Sequence, residues 1–245
     1  MLRDVVRFAV TPWVRLGFVA APCLAAALVV TSGVSAIQPP GCSGPPVIRP
    51  ESQPGAVRAW FEGRKLKVLT FLGYSGAGYE NEKAMLDHAG RILDEFSPAT
   101  TLVNIGATPD GIGAVYALAR RKGFPTSGIV STQARDTGAN LSPCVDVVFF
   151  VEDATWGGFV DGKRLSPTSQ AIIDVSDHVR AIGGGEVARD ELIAARTSGK
   201  ARRDVRFIPA AMNHAIAIER AKKRGQPVPT DFSGAAATAM PPSKR

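Results

Sequence analysis

Between residues 66 and 208, short apolar runs alternate with longer stretches of helical spacing. The runs at 66–72, 101–105, 127–131, 145–151, 178–182 and 205–208 are rich in β-branched and aromatic residues and too short for helices, so each predicts a strand. The run at 145–151 is apolar except for Asp146, as expected of a strand covered on both faces. Over 81–96, Met85, Leu86, Ala89, Ile92, Leu93 and Phe96 fall on one helical face. Comparable patterns predict helices over 112–121, 167–175, 187–197 and 210–224, the first of these ended by Gly123. Residues 132–143 are polar and irregular. Strand and helix in alternation predict an α/β fold, a Rossmann-like doubly wound parallel sheet with helices on both faces. Right-handed crossovers place the strand-to-helix turns at one edge, where ligands of such sheets bind.

Three of those turns are glycine-rich. The first reads Gly-Tyr-Ser-Gly-Ala-Gly over 73–78, the second Gly-Ala-Thr-Pro-Asp-Gly over 106–111, and the third has Gly183, Gly184 and Gly185 before a helix opening on Glu186. Glycine lets backbone approach a ligand closely, and the free N–H groups of a helix start face an anion. A tight turn also needs glycine, so it is the convergence of three turns on one edge that points to a ligand. The first turn is not the dinucleotide fingerprint Gly-x-Gly-x-x-Gly, and the strand at 101–105 ends without the acid that would hold a ribose. A nicotinamide-dependent oxidoreductase is therefore the weaker alternative. Gly73 and Gly78 have P-loop spacing, but Tyr79 stands where the lysine must be.

The ends of the chain read differently. Arg3, Arg7 and Arg15 precede an uncharged apolar run over 16–30, and Val34, Ser35 and Ala36 supply small residues at a cleavage site. Residues 1–36 are thus expected to be a signal peptide, with an uncleaved membrane anchor as the alternative. Either places the folded part outside the cytoplasm, periplasmic or secreted, because the positive flank stays inside. Residues 37–65 read as a Pro/Gly-rich linker with a short helix near 56–64, residues 66–224 as the Rossmann-like domain, and residues 225–245 as a disordered tail. Membrane contact is expected only through the N-terminal segment.

The net charge of +7 is dispersed, and its densest cluster, Arg220, Lys222, Lys223 and Arg224, ends the last helix, where cations complement the dipole. Without interleaved aromatics this does not indicate nucleic-acid binding. Cys144, at the edge of a buried strand, reads first as a small apolar filler; pairing with Cys42 in an oxidising compartment is the alternative. His88, His178 and His214 are scattered, so no metal site is expected, and the residues call for no cofactor.

Ser75 is the hydroxyl of the first turn. A Ser-His-Asp triad would need a placed base such as His214, and the Gly-x-Ser-x-Gly elbow is broken by Ala77. Its expected role is to donate to a phosphate. Glu186, Asp190 and Glu191 compensate the helix dipole or do acid–base work. Glu191, one turn in, can point back toward a ligand. Arg189 pairs with a phosphate or with a neighbouring acid.

Taken together, three stretches resemble the SLOG superfamily of Rossmann-like nucleotide-binding proteins, which includes the Lonely Guy proteins. Residues 68–79 are similar to the family's first strand and Gly-Ser-x-x-Gly loop. Residues 102–115 are similar to its Gly-Leu-Met-Gly-Ala-Val helix start, one residue shorter. Residues 177–191 are similar to the segment holding Pro-Gly-Gly-x-Gly-Thr-x-x-Glu. The likeness spans roughly 66–210. It implies binding of a nucleotide or sugar-phosphate ligand, a homodimer, and cleavage of an N-glycosidic bond as in the Lonely Guy enzymes. By motif position Gly73, Ser75, Gly78, Gly111, Gly113, Gly184 and Gly185 would line the phosphate and sugar, and Glu191 would match the catalytic glutamate; Gly76, Gly183, Glu186 and Arg189, in the same turns, are further candidate ligand-binding residues. Gly183 replaces the motif proline, Val187 the last glycine and Ala188 the threonine, and the family's Arg-Lys pair is missing. A non-catalytic extracytoplasmic ligand-binding or sensing module is the rival expectation.

Overall fold

The apolar runs assemble into one seven-stranded sheet. The computed structural model describes Cys42 and residues 44–197, 200–201 and 204–239, all within the compact unit 37–245. The expected signal peptide or anchor at 1–36 lies outside the described residues. The strands are β1 (Val47–Arg49), β2 (Lys67–Gly73), β3 (Thr101–Ile105), β4 (Thr126–Ser131), β5 (Val147–Val151), β6 (His178–Ile182) and β7 (Val205–Ile208). Every pair is parallel, in the order β1-β5-β4-β3-β2-β6-β7. The chain steps outward from β2 to β5, then returns to lay β6 on the free side of β2. That reversal creates a switch point between β2 and β6, where Gly73 pairs with Ile182.

The helices are α1 (Pro54–Glu62), α2 (Glu82–Leu93), α3 (Val115–Arg121), α4 (Thr132–Asp136), α5 (Pro167–Val175), α6 (Glu186–Thr197) and α7 (His214–Lys223). Alternation along β2 feeds two cores. Leu69 and Phe71 pack with Met85, Ile92, Val115 and Tyr116 on one face. Val68 and Leu72 pack with Val57, Phe61, Ile172 and Leu192 on the other. Burial on both faces explains why β2 is apolar throughout rather than alternating. Its one buried polar side chain, Thr70, is satisfied: its Oγ1 lies 2.6 Å from Ser176 Oγ and accepts from Asn104 Nδ2, while Ser127 Oγ donates to Asn104 Oδ1.

Local signals account for several helix starts. Asn81, Ser166 and Asn213 each cap their helix through a side-chain oxygen, accepting from Ala84, Ser169 and Ile216 N–H. Pro54 and Pro167 sit in first turns, where a missing N–H costs nothing.

Three stretches depart from expectation. The linker supplies the edge strand β1, which pairs with β5. Residues 132–136 form α4, capped by Ser131. Residues 226–239 are not a disordered tail: they run back over the sheet edge and end in a 3-10 turn, Ala235–Ala239, packed on α6. Ala236 is fully buried and its N–H donates to Gly184 O at 3.0 Å, while Met212 N–H donates to Phe232 O at 2.9 Å. The Ala-rich composition that suggested low complexity is what lets the segment lie close against α6.

Cys42 and Cys144 form a disulfide, with Cα atoms 4.5 Å apart, so Cys144 is not simply an apolar filler. The bridge closes a loop with a sequence separation of 102 and ties the segment before β1 to the segment before β5. Loop-closure entropy for such a length gives a stabilisation of roughly 4.7 kcal/mol. Reduction, or paired Cys42→Ser and Cys144→Ser substitution, is expected to lower the urea midpoint accordingly; equal midpoints for oxidised and reduced protein would contradict this.

Candidate functional site

A cavity of about 760 Å³ opens at the carboxyl edge of the sheet, a size suited to a nucleotide-like small molecule. Its walls come from the first turn (Gly73, Ser75, Gly76), the second (Ala107, Asp110), the start of α6 (Gly185, Glu186, Glu191), Trp156 of the β5–α5 loop, and Arg220 and Arg224 of α7.

The first turn is anchored from below. Tyr79 folds back under it: its hydroxyl accepts from Tyr74 N–H at 3.2 Å and donates to Ile182 O at 2.7 Å. Both functions of a buried hydroxyl are used, and burial pushes its pKa above the ordinary phenol value. A Cβ on Gly73 would fall on Tyr79 Oη, so only glycine fits there. The second turn packs against the first. Gly111 lies under the carbonyls of Tyr74 and Ser75, and Ile112 N–H donates to Tyr74 O at 2.7 Å. Between them Ala107 holds φ +58, unusual for a residue with a Cβ. Tyr116 stabilises this conformation by accepting from Ala107 N–H and donating to Ser127 O, and Ser142 N–H donates to Ala107 O.

At the third turn, Glu191 is buried, and its Oε1 accepts from Ser169 Oγ at 2.7 Å. Burial pushes the carboxyl up to about 7; the Ser169 bond opposes the shift and the neighbouring Asp190 adds to it. Ser169 Oγ in turn accepts from Gly158 N–H at 2.8 Å, and Asp190 Oδ2 accepts from Phe159 N–H at 2.8 Å. The loop carrying Trp156 is thus sewn to the start of α6. It can approach so closely because Gly157 has φ +121 and no Cβ; one would come within 2.9 Å of Ser169 Oγ and Val187. Trp156 is left half-exposed over the cavity. Thr168 also lines the wall, buried, with no hydrogen-bond partner for its Oγ1 among the described residues.

Of the residues expected to bind ligand, Gly73, Ser75, Gly76, Gly185 and Glu186 line the cavity, and so does Glu191. Gly78, Gly111, Gly113, Gly183, Gly184 and Arg189 lie outside its lining. Gly113 packs on Thr108 O, and Gly183 on the ring of Tyr74 and Ala210 O. Gly184 is covered by Ala236, and Gly78 faces Asn213 and Ile216. Arg189 is paired with Asp190 through Nε at 2.9 Å and Nη2 at 2.8 Å. His214 stacks on Phe232 and faces Glu80 rather than Ser75. Sequence reasoning passed over Ser169, Thr168, Trp156 and the arginines of α7 as site residues. The only available signal was the i, i+4 spacing of Arg220 and Arg224, which reads equally as dipole compensation. Among the described residues there is no metal-ligating cluster, and no helix long and apolar enough to cross a membrane.

The parallel sheet, its switch point and the three turns in order define a Rossmann-like α/β protein. No family model matches the chain, and no curated protein does. Among solved structures it is similar to TM1055, a structural-genomics target, at 19% identity over 53% of this chain and 68% of that one, with a TM-score of 0.39. It is also similar to the Moco carrier protein from Chlamydomonas reinhardtii, at 16% identity over 71% of this chain and 94% of that one, TM-score 0.39. A second structure of that carrier matches at 14% identity over 64% and 97%, TM-score 0.35.

Glu191 sets a pH dependence. Its carboxyl ionises near 4.5 in the unfolded chain and near 7 in the fold. The folded state therefore holds the extra proton between those values, and stability falls as pH rises through that window, by roughly 3 kcal/mol in all. The carboxyls held low, such as Asp153, Asp177 and Asp204, act at more acidic pH. Urea midpoints at pH 5 and pH 8 should differ in the native protein and converge in Glu191→Gln. An equal difference in both would show that Glu191 is not the titrating group.

Proposed function

We propose that the cavity binds a nucleotide or nucleotide-derived phosphorylated ligand, and that Glu191 cleaves its N-glycosidic bond. The observation that carries this reading is a buried carboxyl with a pKa of about 7, in the wall of a nucleotide-sized cavity at the sheet's switch point. A group poised near neutral pH serves as acid and then as base. Ser169 occupies Oε1, which leaves Oε2 for the ligand. Protonated Glu191 gives its proton to the departing base nitrogen as the C1′–N bond breaks and its electron pair leaves with the base. The carboxylate then stabilises the oxocarbenium-like sugar and takes a proton from the water that adds at C1′. The products are the free base and the sugar phosphate, and Glu191 ends protonated as it began.

One observation favours a second reading, binding without turnover. Ala188 brings no hydroxyl to the α6 start, and among the described residues no cation pairs with Glu191, so the carboxyl is held by neutral partners alone. Glu191→Gln separates the two. An extracytoplasmic location is part of the proposal, supported by the Cys42–Cys144 bridge and the apolar N-terminal run.

AMP, ADP-ribose, NAD and ribose 5-phosphate should be compared by thermal shift on the disulfide-bonded protein. A ligand at about 100 times its dissociation constant adds roughly 2.7 kcal/mol, several degrees. Glu191→Gln is expected to keep that shift and lose release of free base. Release at the native rate in the variant would exclude Glu191, and a binding-competent native protein that releases no base would establish the second reading.

A further inference from the structure

The start of α6 is where the fold would ordinarily place a phosphate. In this chain the position is electrostatically poor. Glu186 stands in the first helical turn and lines the cavity, and Ala188 supplies no hydroxyl. A full negative charge outweighs the half-charge of a helix end. The cationic wall lies on the other side, at the first turn.

Arg220, in the last turn of α7, and Arg224, at its C-terminal cap, both line the cavity. Four residues apart, they share a helix face. Arg220 Nη2 donates to Gly76 O at 2.8 Å, which fixes its guanidinium against the first turn. Among the described residues neither arginine has an acid within ion-pair distance. Beside them the N–H groups of Ser75, Gly76 and Ala77 donate to no described atom, the turn's own bond running from Gly78 N–H to Ser75 O. Two guanidinium groups, one of them fixed on Gly76, and a run of free N–H donors thus line the same cavity as Glu186, Glu191 and, from the second turn, Asp110.

We propose that Arg220 and Arg224 form the phosphate-recognising wall of this cavity and make it selective for ligands with a terminal phosphate over the uncharged nucleoside. This rests on the nucleotide reading of the same cavity. It seats the phosphate over the first turn and directs the sugar and base toward Glu191 and Trp156. Guanidinium groups suit this task because their forked donors match phosphate oxygens and stay charged at any working pH.

The test compares AMP, adenosine and inorganic pyrophosphate by calorimetry on the full disulfide-bonded protein, with Arg224→Gln and the double variant Arg220→Gln/Arg224→Gln. The Arg224 side chain is exposed and makes no hydrogen bond or ion pair with a described residue, so its variant separates recognition from loop support. The expected result is that AMP binds the native protein far more tightly than adenosine. Arg224→Gln should weaken AMP by about tenfold and the double variant by about a hundredfold, with adenosine unchanged. If AMP and adenosine bind equally, or both weaken together in Arg224→Gln, the assignment is overturned. If neither binds but pyrophosphate does, and the variants weaken it, the nucleotide reading fails while the arginine site stands. If pyrophosphate does not bind the native protein at millimolar concentration and AMP does not either, the arginine site fails.

Discussion

The hydroxyl of Tyr79 joins the ends of the two strands that flank the switch point. It takes the N–H of Tyr74 just beyond β2 and gives its proton to the carbonyl of Ile182 at the end of β6. Because Tyr79 is buried, leaving either bond unmade would be costly, and both are made within the protein. That one requirement fixes much else. Gly73 cannot carry a side chain, because its Cβ would collide with the hydroxyl. The first turn is held up from beneath, so Ser75 and Gly76 line the cavity and Gly111 can lie under the carbonyls of Tyr74 and Ser75. A tyrosine in the place of a P-loop lysine is therefore a structural strut rather than a lost catalytic group.

The same economy closes part of the glycine edge. Tyr74 reaches across to the carbonyls of Ala210 and Ser233, and the segment over 226–239 covers Gly184. What stays open is the space between the first turn and the start of α6, bounded by the Trp156 loop on one side and α7 on the other. Charge of both signs lines that space: Glu186 and Glu191 on α6, Asp110 in the second turn, and the two arginines at the end of α7. The glycines that fall outside the cavity serve close packing and positive φ, and Gly73, which lines it, serves close packing as well.

The parallel sheet and the edge at which its strand-to-helix turns gather were legible in the sequence because buried parallel strands must be continuously apolar and crossovers have one hand. The strands at 101–105, 178–182 and 205–208 appear at the expected residues for that reason. Glu191 was identifiable because helical geometry points a residue one turn in back toward the helix start. Other features had no local signature. Ser169 becomes a partner of Glu191 only when α5 is laid beside α6, and Ala107 carries its positive φ because Tyr116 and Ser142 hold it from other elements. The 226–239 segment looked like a tail because small residues serve equally well in low-complexity chain and in tight packing. Arg220 and Arg224 looked like dipole compensation because their relation to the first turn is set by the long return from β7.

The central claim is that ligand binds between the first turn and the start of α6, and not on the glycines closed off by Tyr74 and the C-terminal segment. Amide NMR during titration with AMP tests it most directly. The account predicts shift changes concentrated at the N–H groups of Ser75, Gly76 and Ala77 and at Glu186 and Val187, with Gly78 and Gly113 little moved. Saturable changes centred on Gly113 and Gly183, with Ser75 and Gly76 undisturbed, would contradict it.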